Sequence, residues 1–235
     1  MATHNKPHHL DKALETIFRQ SPPFDWEVIA AIDGPFPETR QVLDKYASRH
    51  TNLKVIEVPS SGRYRNPSVA RNVAYREARG EVMILQSDEV QHFRPDTIER
   101  LVGDLTEHTM IFANVFNVDE QGNRTETYIG PRRRRPFFFL GSVHRKHVFA
   151  IGGNSEDFKE PGFDDNWLGA CLMFGRGLTP VYSDSIIGHH LDHPRPPLRK
   201  HYRRMNALYL QKCEAAKADP SKWVGGPAWE MVHVA

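Results

Sequence analysis

Apolar runs typical of strands alternate with amphipathic segments typical of helices over residues 1–120, and this alternation constrains the fold more than any other feature. In the first predicted helix, Leu10, Leu14 and Ile17 fall on one face. The pattern predicts helices at 10–19, 39–50, 67–79 and 95–105 and strands at 27–32, 53–58, 81–85 and 110–118. Such alternation is typical of a mostly parallel sheet with helices on both faces. The predicted fold class is therefore α/β.

The size and composition of the chain predict a globular protein. It has 235 residues, of which 39% are hydrophobic and 26% are charged, which provides enough apolar material for a core. No apolar run approaches the ~18 residues that a membrane helix needs, and the N-terminus lacks the apolar centre of a signal peptide. The two cysteines, Cys171 and Cys213, indicate no disulfide framework. We expect a cytoplasmic protein without a transmembrane segment.

Polar residues follow two predicted strands, at the edge where open α/β sheets bind ligands. Asp33 follows the strand at 27–32, and Gln86, Ser87 and Asp88 follow the strand at 81–85. An acidic residue at this position can hold a hard divalent cation, which in turn binds a diphosphate. Acidic residues after strands are also common as helix caps and in solvated turns, so the residues alone allow both interpretations.

Two later pairs of residues are candidates for chemistry. Asp164 and Asp165 stand beside aromatic residues, where a carboxylate could remove the proton of an attacking hydroxyl or could simply cap a helix. His190 and His193 could bind a metal ion. The chain has 13 histidines, so this pair carries little weight by itself.

Taken in order, residues 2–194 resemble the family 2 type glycosyltransferases with the GT-A fold. Residues 3–6, Thr-His-Asn-Lys, are similar to the Thr-x-Asn-Arg opening of that family. Residues 67–72 and 78–81 are similar to its Ala-Arg-Asn … Ala-x-Gly-Glu stretch, which is the most specific match. Residues 152–165 resemble the stretch that carries the base, and His190 or His193 resembles the late metal histidine.

The resemblance implies roles for the candidate residues. The nucleotide sugar, with a UDP-linked donor favoured, would be bound by Thr3, Asn5, Asp33, Arg71, Asn72, Gln86 and Ser87. Either Mn2+ or Mg2+ would be bound by Asp88, His190 and His193, and would stabilise the departing diphosphate. Asp165, or Asp164 in its place, would deprotonate the acceptor hydroxyl. Transfer would then invert the anomeric carbon.

The sequence departs from the family pattern in three places. Gln86 stands where the family's Asp-x-Asp signature has its first acid, and the turn at residues 32–35 has one acid fewer than the family's Asp-Asp-Gly-Ser. The family's first strand, an apolar run before Thr3, is nearly absent. A missing strand would leave neighbouring edges exposed unless they are covered, which favours a homodimer. A non-catalytic module that binds nucleotide sugars is the alternative that these departures raise.

A basic run provides the candidate acceptor surface. It consists of Arg132, Arg133, Arg134 and Arg135, with Trp167 as a further candidate. Arginines suit an anionic group, although a solvated loop with one or two ion pairs is the simpler interpretation. A glycan or lipid-linked glycan is the favoured acceptor. A hydroxymethylated base in DNA is the second, although the net charge of +2 gives DNA little support.

We expect the glycosyltransferase domain to span residues 1–195. Residues 196–235 are expected to form a basic helix and a tail, packed on this domain or extending from it.

Overall fold

The computed structural model describes residues 1–60, 65–119, 121–193 and 199–231. The strands within this part of the chain are β1 (Ala2–Thr3), β2 (Val28–Asp33), β3 (Leu53–Val58), β4 (Val82–Gln86), β5 (Val90–His92), β6 (Thr109–Val118), β7 (Arg124–Ile129), β8 (Leu140–His144) and β9 (Thr179–Leu191). The helices are α1 (Pro7–Phe18), α2 (Pro37–Ala47), α3 (Ser68–Arg76), α4 (Thr97–Gly103), α5 (Arg145–Ala150), α6 (Asp164–Ala170) and α7 (Arg199–Ala218). A π-helical turn follows α6 at Cys171–Gly175, and a 3-10 turn follows α7 at Pro220–Lys222.

All the strands and helices predicted for residues 1–120 are present. β3 has the predicted bounds, and the other elements differ from them by a few residues. Helix α1 starts earlier and is longer than predicted, whereas α2, α3 and α4 are shorter. Helix α4 ends at Gly103, the residue type that favours a helix interior least after proline.

The strands form two sheets. The first is parallel, in the order β1–β2–β3. The second has the order β4–β8–β6–β9–β5, with β7 added on β6. In this second sheet β6 and β9 run parallel, and the other pairs run antiparallel. The predicted α/β class is confirmed.

Helices cover both faces of the first sheet. The residues of β2 are all buried, and they point alternately to the two faces. Ala30 and Ile32 pack with Leu10 and Leu14 of α1 and with Leu43 of α2. Ile29 and Ala31 pack on the opposite face with α3. Burial on both faces explains why β2 is a continuous apolar run.

The first strand is as short as the sequence predicts. β1 has two residues, and the backbone N–H of Ala31 donates to the carbonyl of Met1 at 2.9 Å. The N-terminal ammonium of Met1 donates to the carbonyl of Ile29 at 2.6 Å. Strand pairing among the described residues does not connect β1 or β2 to β4, so the two sheets remain separate.

The segment after β9 packs on the rest of the protein over its described residues. Met205, Cys213 and Ala216 of α7, together with Trp223, are buried in the main hydrophobic core. The predicted helix start at 197 and the last residues of the tail lie outside the described residues, and a domain boundary at 195 stays a prediction. Among the described helices, none has both the length and the apolar composition that crossing a membrane requires.

Candidate active site

A buried ion cluster joins α3 to the first turn of α6. The Arg71 guanidinium donates through Nη1 to Asp164 Oδ2 at 3.1 Å and to Asp165 Oδ1 at 2.8 Å. Burial raises the pKa of Asp165 to about 6; the Arg71 charge opposes this rise, and the Asp164 charge adds to it. One guanidinium between two carboxylates leaves one negative charge unbalanced. A carboxylate with a pKa near the working pH has the property that a general base needs.

The residue before this pair has a strained backbone. Phe163 has a φ of 67°, and it is the single non-glycine residue with a positive φ in the described chain. This conformation costs about 1 kcal/mol or more and occurs often at functional sites. The Phe163 ring packs against Tyr202 and Tyr209 of α7, with ring centroids 5.3 and 5.6 Å away. These contacts hold the turn that directs the acidic pair of α6 toward Arg71.

A second cluster combines one carboxylate with two imidazoles. Glu89 Oε2 lies 3.0 Å from His190 Nε2, and Glu89 Oε1 lies 3.0 Å from His193 Nε2. One potential ligand atom from each residue lies within 4.8 Å of the others. Val90 pairs with His190 across the antiparallel β5 and β9, which places Glu89 beside the histidines. The donor set suits a divalent metal ion such as Mn2+.

Aromatic rings hold His190 within this cluster. The ring of Tyr128, from β7, stacks on the imidazole with centroids 5.2 Å apart, and the ring of Phe139 meets it edge-on at 5.5 Å. Lys6, which follows the Thr-x-Asn opening, forms an ion pair with Glu89. Neither aromatic residue has a signal in the sequence that points to this role, because each reaches the cluster through tertiary packing.

Asp88 lies beside the second cluster without belonging to it. Its side chain is buried. The cluster of potential metal ligands among the described residues includes the neighbouring Glu89 but not Asp88. Burial lowers the pKa of the Met1 ammonium to about 5; Arg71 lowers it further, and Asp88 raises it. Arg71 and Asp88 thus both act electrostatically on the Met1 ammonium. Metal binding by Asp88 stays a prediction.

A third ion pair lies at the end of β2. The Arg65 guanidinium donates two hydrogen bonds to the Asp33 carboxylate in a bidentate arrangement, with Nε 3.0 Å from Oδ2 and Nη2 2.7 Å from Oδ1. Thr3 is buried on β1 opposite Ile32, whereas Asn5 is exposed in the turn that follows. Thr3 and Asp33 thus lie at the carboxyl ends of β1 and β2, and nucleotide binding by them stays a prediction. The sequence analysis did not identify Arg65, which has no motif of its own.

The amide of Asn72 binds the protein itself, and its role as a nucleotide-sugar ligand stays a prediction. Its Nδ2 donates to the carbonyl of Asn154 and to Glu156 Oε1, both at 2.9 Å, and its Oδ1 accepts from the N–H of Asn154 at 2.8 Å. Because both ends of the amide are engaged, Asn72 positions the loop at residues 152–156.

The amide of Gln86 is also hydrogen-bonded within the protein, and its role in binding the nucleotide sugar stays a prediction. Its Nε2 donates to the Val90 carbonyl at 2.7 Å, and its Oε1 lies 2.8 Å from His92 Nε2. Burial lowers the pKa of His92 to about 3. Because Gln86 Oε1 can only accept a hydrogen bond, this contact requires the His92 tautomer with hydrogen on Nε2. Ser87 is used locally as well, since its Oγ accepts from the N–H of Glu89 at 3.4 Å. Gln86 and Ser87 shape the turn that presents Glu89.

The four consecutive arginines point in different directions. Arg132 and Arg134 are exposed. Arg133 pairs with Glu126 at 3.4 Å, and the Arg135 guanidinium lies 5.7 Å from the centroid of the Phe137 ring. The run therefore offers two exposed cations rather than a continuous anion-binding face.

Trp167 is a core residue, and its prediction as an acceptor contact is wrong. Only 1% of its surface is exposed, and its Nε1–H donates to the Val224 carbonyl at 3.0 Å. Its ring stacks on Trp223 with centroids 5.3 Å apart. Because the side chain is buried in the core, it is not accessible to a substrate.

A family profile described as Glycosyl transferase family 2 matches residues 1–159. The chain belongs to this family. No significant match exists among curated proteins.

Several solved structures of other proteins are similar to this chain in fold. The chain is similar to a mannosyltransferase from Pyrobaculum calidifontis in complex with GDP-Man and Mn2+, with a TM-score of 0.66 and 18% identity over 92% of this chain and 62% of that one. It is also similar to S. aureus TarS 1-349 in complex with UDP, with a TM-score of 0.68 and 18% identity over 93% and 64% of the two chains. GalNAc-T7 with UDP, GalNAc and Mn2+ has a TM-score of 0.65 and 14% identity over 96% and 51%.

These likenesses establish the GT-A fold, as the sequence resemblance implied. The chain spans 62% to 64% of the length of the first two of these structures, so it corresponds to only a part of each.

Proposed function

We propose that this chain is a metal-assisted glycosyltransferase that moves a sugar from a nucleotide-sugar donor to an acceptor hydroxyl with inversion. The observation that carries the proposal is the Arg71–Asp164–Asp165 cluster, because a buried carboxylate with a raised pKa is suited to proton removal. Membership of glycosyl transferase family 2 supports the reaction class.

The Asp165 carboxylate takes the proton of the acceptor hydroxyl as that oxygen attacks the anomeric carbon. Arg71 orients Asp165 through the 2.8 Å hydrogen bond and keeps both carboxylates of the cluster in place. A single displacement from the face opposite the leaving group gives inversion. Asp164 has the same guanidinium partner, and it is the alternative base.

Glu89, His190 and His193 would hold the divalent ion. When bound, Mn2+ or Mg2+ supplies positive charge that stabilises the departing nucleoside diphosphate. Two imidazole ligands favour Mn2+, since Mg2+ prefers a shell of oxygen ligands. Two of the similar structures contain Mn2+, which agrees with this preference.

The donor is proposed to be a nucleotide sugar, with UDP favoured over other nucleotides. The Thr3–Asp33–Arg65 edge provides polar groups for the nucleoside at the ends of β1 and β2. Similar structures were solved with UDP, UDP-GlcNAc and GDP-Man. The acceptor is proposed to be a glycan or lipid-linked glycan, and the exposed Arg132 and Arg134 would suit an anionic group on it.

The test is a panel of UDP- and GDP-linked sugars, with release of nucleoside diphosphate measured in Mn2+, in Mg2+ and in EDTA. We expect release from at least one donor that requires the metal and that Asp165→Asn reduces by ~10²–10⁴-fold. Asp157→Asn is the matched control, because Asp157 is an exposed acid of the neighbouring loop that pairs with Lys212. Binding of nucleotide sugars without any turnover would instead establish the non-catalytic alternative.

A further inference from the structure

The 223–229 segment contacts the helix that carries the acidic pair, although none of its side chains is ionisable. The Trp167 Nε1–H of α6 donates to the Val224 carbonyl at 3.0 Å. The rings of Trp167 and Trp223 stack with centroids 5.3 Å apart. Trp167 follows Asp165 closely in α6, so this packing fixes the helical turn that bears the proposed base.

Backbone hydrogen bonds join the same segment to the chain just before the 152–156 loop. Gly225 N–H donates to the Ile151 carbonyl at 2.7 Å, and Trp229 N–H donates to the Phe149 carbonyl at 2.9 Å. On its other side the loop is bound by the asparagine amide of α3 described above. The loop is therefore held from two sides, by α3 and by this segment.

Glycines allow the 223–229 segment to lie directly against the loop. A Cβ at Gly225 would collide with the carbonyl oxygen of Gly153, and a Cβ at Gly153 would collide with the Trp229 ring. Gly153 also has a φ of 70°, a backbone conformation that other residues rarely adopt. Because no side chain fits between the two backbones, the position of one determines the position of the other.

The Trp229 ring extends these contacts to α3. The Arg76 guanidinium lies over it, with Cζ 4.6 Å from the ring centroid. The Phe149 ring meets it edge-on, with centroids 5.4 Å apart. Arg76 belongs to the same helix as Arg71, which binds the Asp165 carboxylate. The segment thus bridges α3, the loop and α6.

We propose that the 223–229 segment is a positioning segment for Asp165, which holds α3, the 152–156 loop and α6 in the arrangement that keeps this carboxylate on Arg71. The inference rests on the proposed function, because it takes Asp165 as the base. The segment acts through the packing of the elements that carry the reacting groups, without touching a substrate. A displacement of about 1 Å can slow a reaction ~10²-fold, so a small movement of α6 relative to α3 is enough to change the rate.

Exclusion of water from the acidic cluster links the segment to the protonation of the base. Among the described residues, the charged and titratable groups around Asp165 are Arg71 and Tyr75 of α3 and Asp164 of α6, and the 223–229 segment adds none. Burial is the largest cause of the raised pKa of Asp165. A displaced segment would admit water to the cluster, and the pKa of Asp165 should then fall toward its ordinary value of 3.8.

An NMR titration of Asp165 in the full chain tests this proposal. The aspartate side chains are isotopically labelled at the carboxyl carbon, and the Asp165 signal is assigned by its loss in Asp165→Asn. We expect a pKa of about 6 in the wild type and a lower pKa in Gly225→Ala and in Trp229→Ala. Trp229→Phe keeps an aromatic ring against the loop and should restore part of the difference. In the nucleotide-sugar assay, the two alanine variants should lose ~10–10²-fold in kcat, and the midpoint of the pH–rate profile should move with the pKa.

Two control variants separate positioning from general stability. Gly103→Ala is the matched glycine substitution and should change neither readout, because no described atom lies within 4 Å of a Cβ at that position. Leu43→Ala, in the separate core of the first sheet, should lower the melting temperature without moving the pKa of Asp165. An unchanged pKa in both alanine variants of the segment, or an equal fall in Leu43→Ala, would overturn the proposal. The NMR titration needs no turnover, so an inactive wild type would contradict the proposed function alone.

Discussion

Replacing Asp165 with asparagine separates a catalytic role from a structural one. Burial raises the pKa of Asp165 to about 6 from an ordinary value of 3.8. At 1.36 kcal/mol per pKa unit, this rise in pKa corresponds to a free-energy cost of roughly 3 kcal/mol for the ionised side chain in the folded protein. Because the pKa in the folded state is the higher one, this carboxylate destabilises the fold. The cost is absent below about pH 4, grows between pH 4 and 6, and is complete above pH 6.

Asp165→Asn removes this cost, while Arg71 retains its ion pair with Asp164. We therefore expect turnover to fall by ~10²–10⁴-fold while the melting temperature at pH 8 stays equal to that of the wild type or rises. The wild-type rate should increase with pH through an apparent pKa of about 6, because the base must be ionised. The residual activity of the variant should lose this rise.

The assay combines release of nucleoside diphosphate at saturating donor, from pH 5 to 8.5, with thermal unfolding in the same buffers. Asp164→Asn serves as the matched variant within the same cluster. Full activity in Asp165→Asn would refute the assignment of the base. A large fall in melting temperature together with activity would show that the residue maintains the fold instead.

Three further predictions test the neighbouring groups. Glu89→Gln removes one of three potential metal ligands, so the rise in melting temperature produced by Mn2+ should require at least tenfold more metal; an unchanged titration would contradict the assignment. Arg65→Ala removes the bidentate hydrogen bonds to the buried Asp33 carboxylate, and calorimetry should show about tenfold weaker binding of nucleoside diphosphate. An equal affinity would mean that the nucleoside binds elsewhere. Asn72→Ala removes three hydrogen bonds, two of them buried, and should destabilise the fold by ~1–3 kcal/mol, which lowers the melting temperature by several degrees. An unchanged melting temperature would show that the 152–156 loop keeps its structure without these bonds.

The sequence predicts the fold well because its signals are local. The continuous apolar run of β2 and the amphipathic pattern of α1 each follow from burial of one element. The residues at strand ends could also be located, since parallel strands end at one edge of a sheet. Thr3 and Asp33 lie at that edge.

The partners of the site residues could not be predicted, because they come from distant segments. Arg71 meets Asp164 across 93 positions of the chain, and His190 meets Glu89 across 101. No periodicity encodes such contacts. Asn72 and Gln86 match the family pattern by type, yet packing uses both ends of each amide within the protein. The aromatic character of Trp167 gave no indication that its ring faces the core.

The proposed function requires that one site bring a divalent cation at Glu89, His190 and His193 together with a base at Asp165. Anomalous diffraction from a crystal soaked with Mn2+ and a nucleoside diphosphate tests it most directly. We expect a manganese peak within coordination distance of ligand atoms from these three residues and in contact with diphosphate oxygens, with Asp165 facing the side where the sugar would lie. Manganese bound elsewhere, or a diphosphate remote from both clusters, would contradict it.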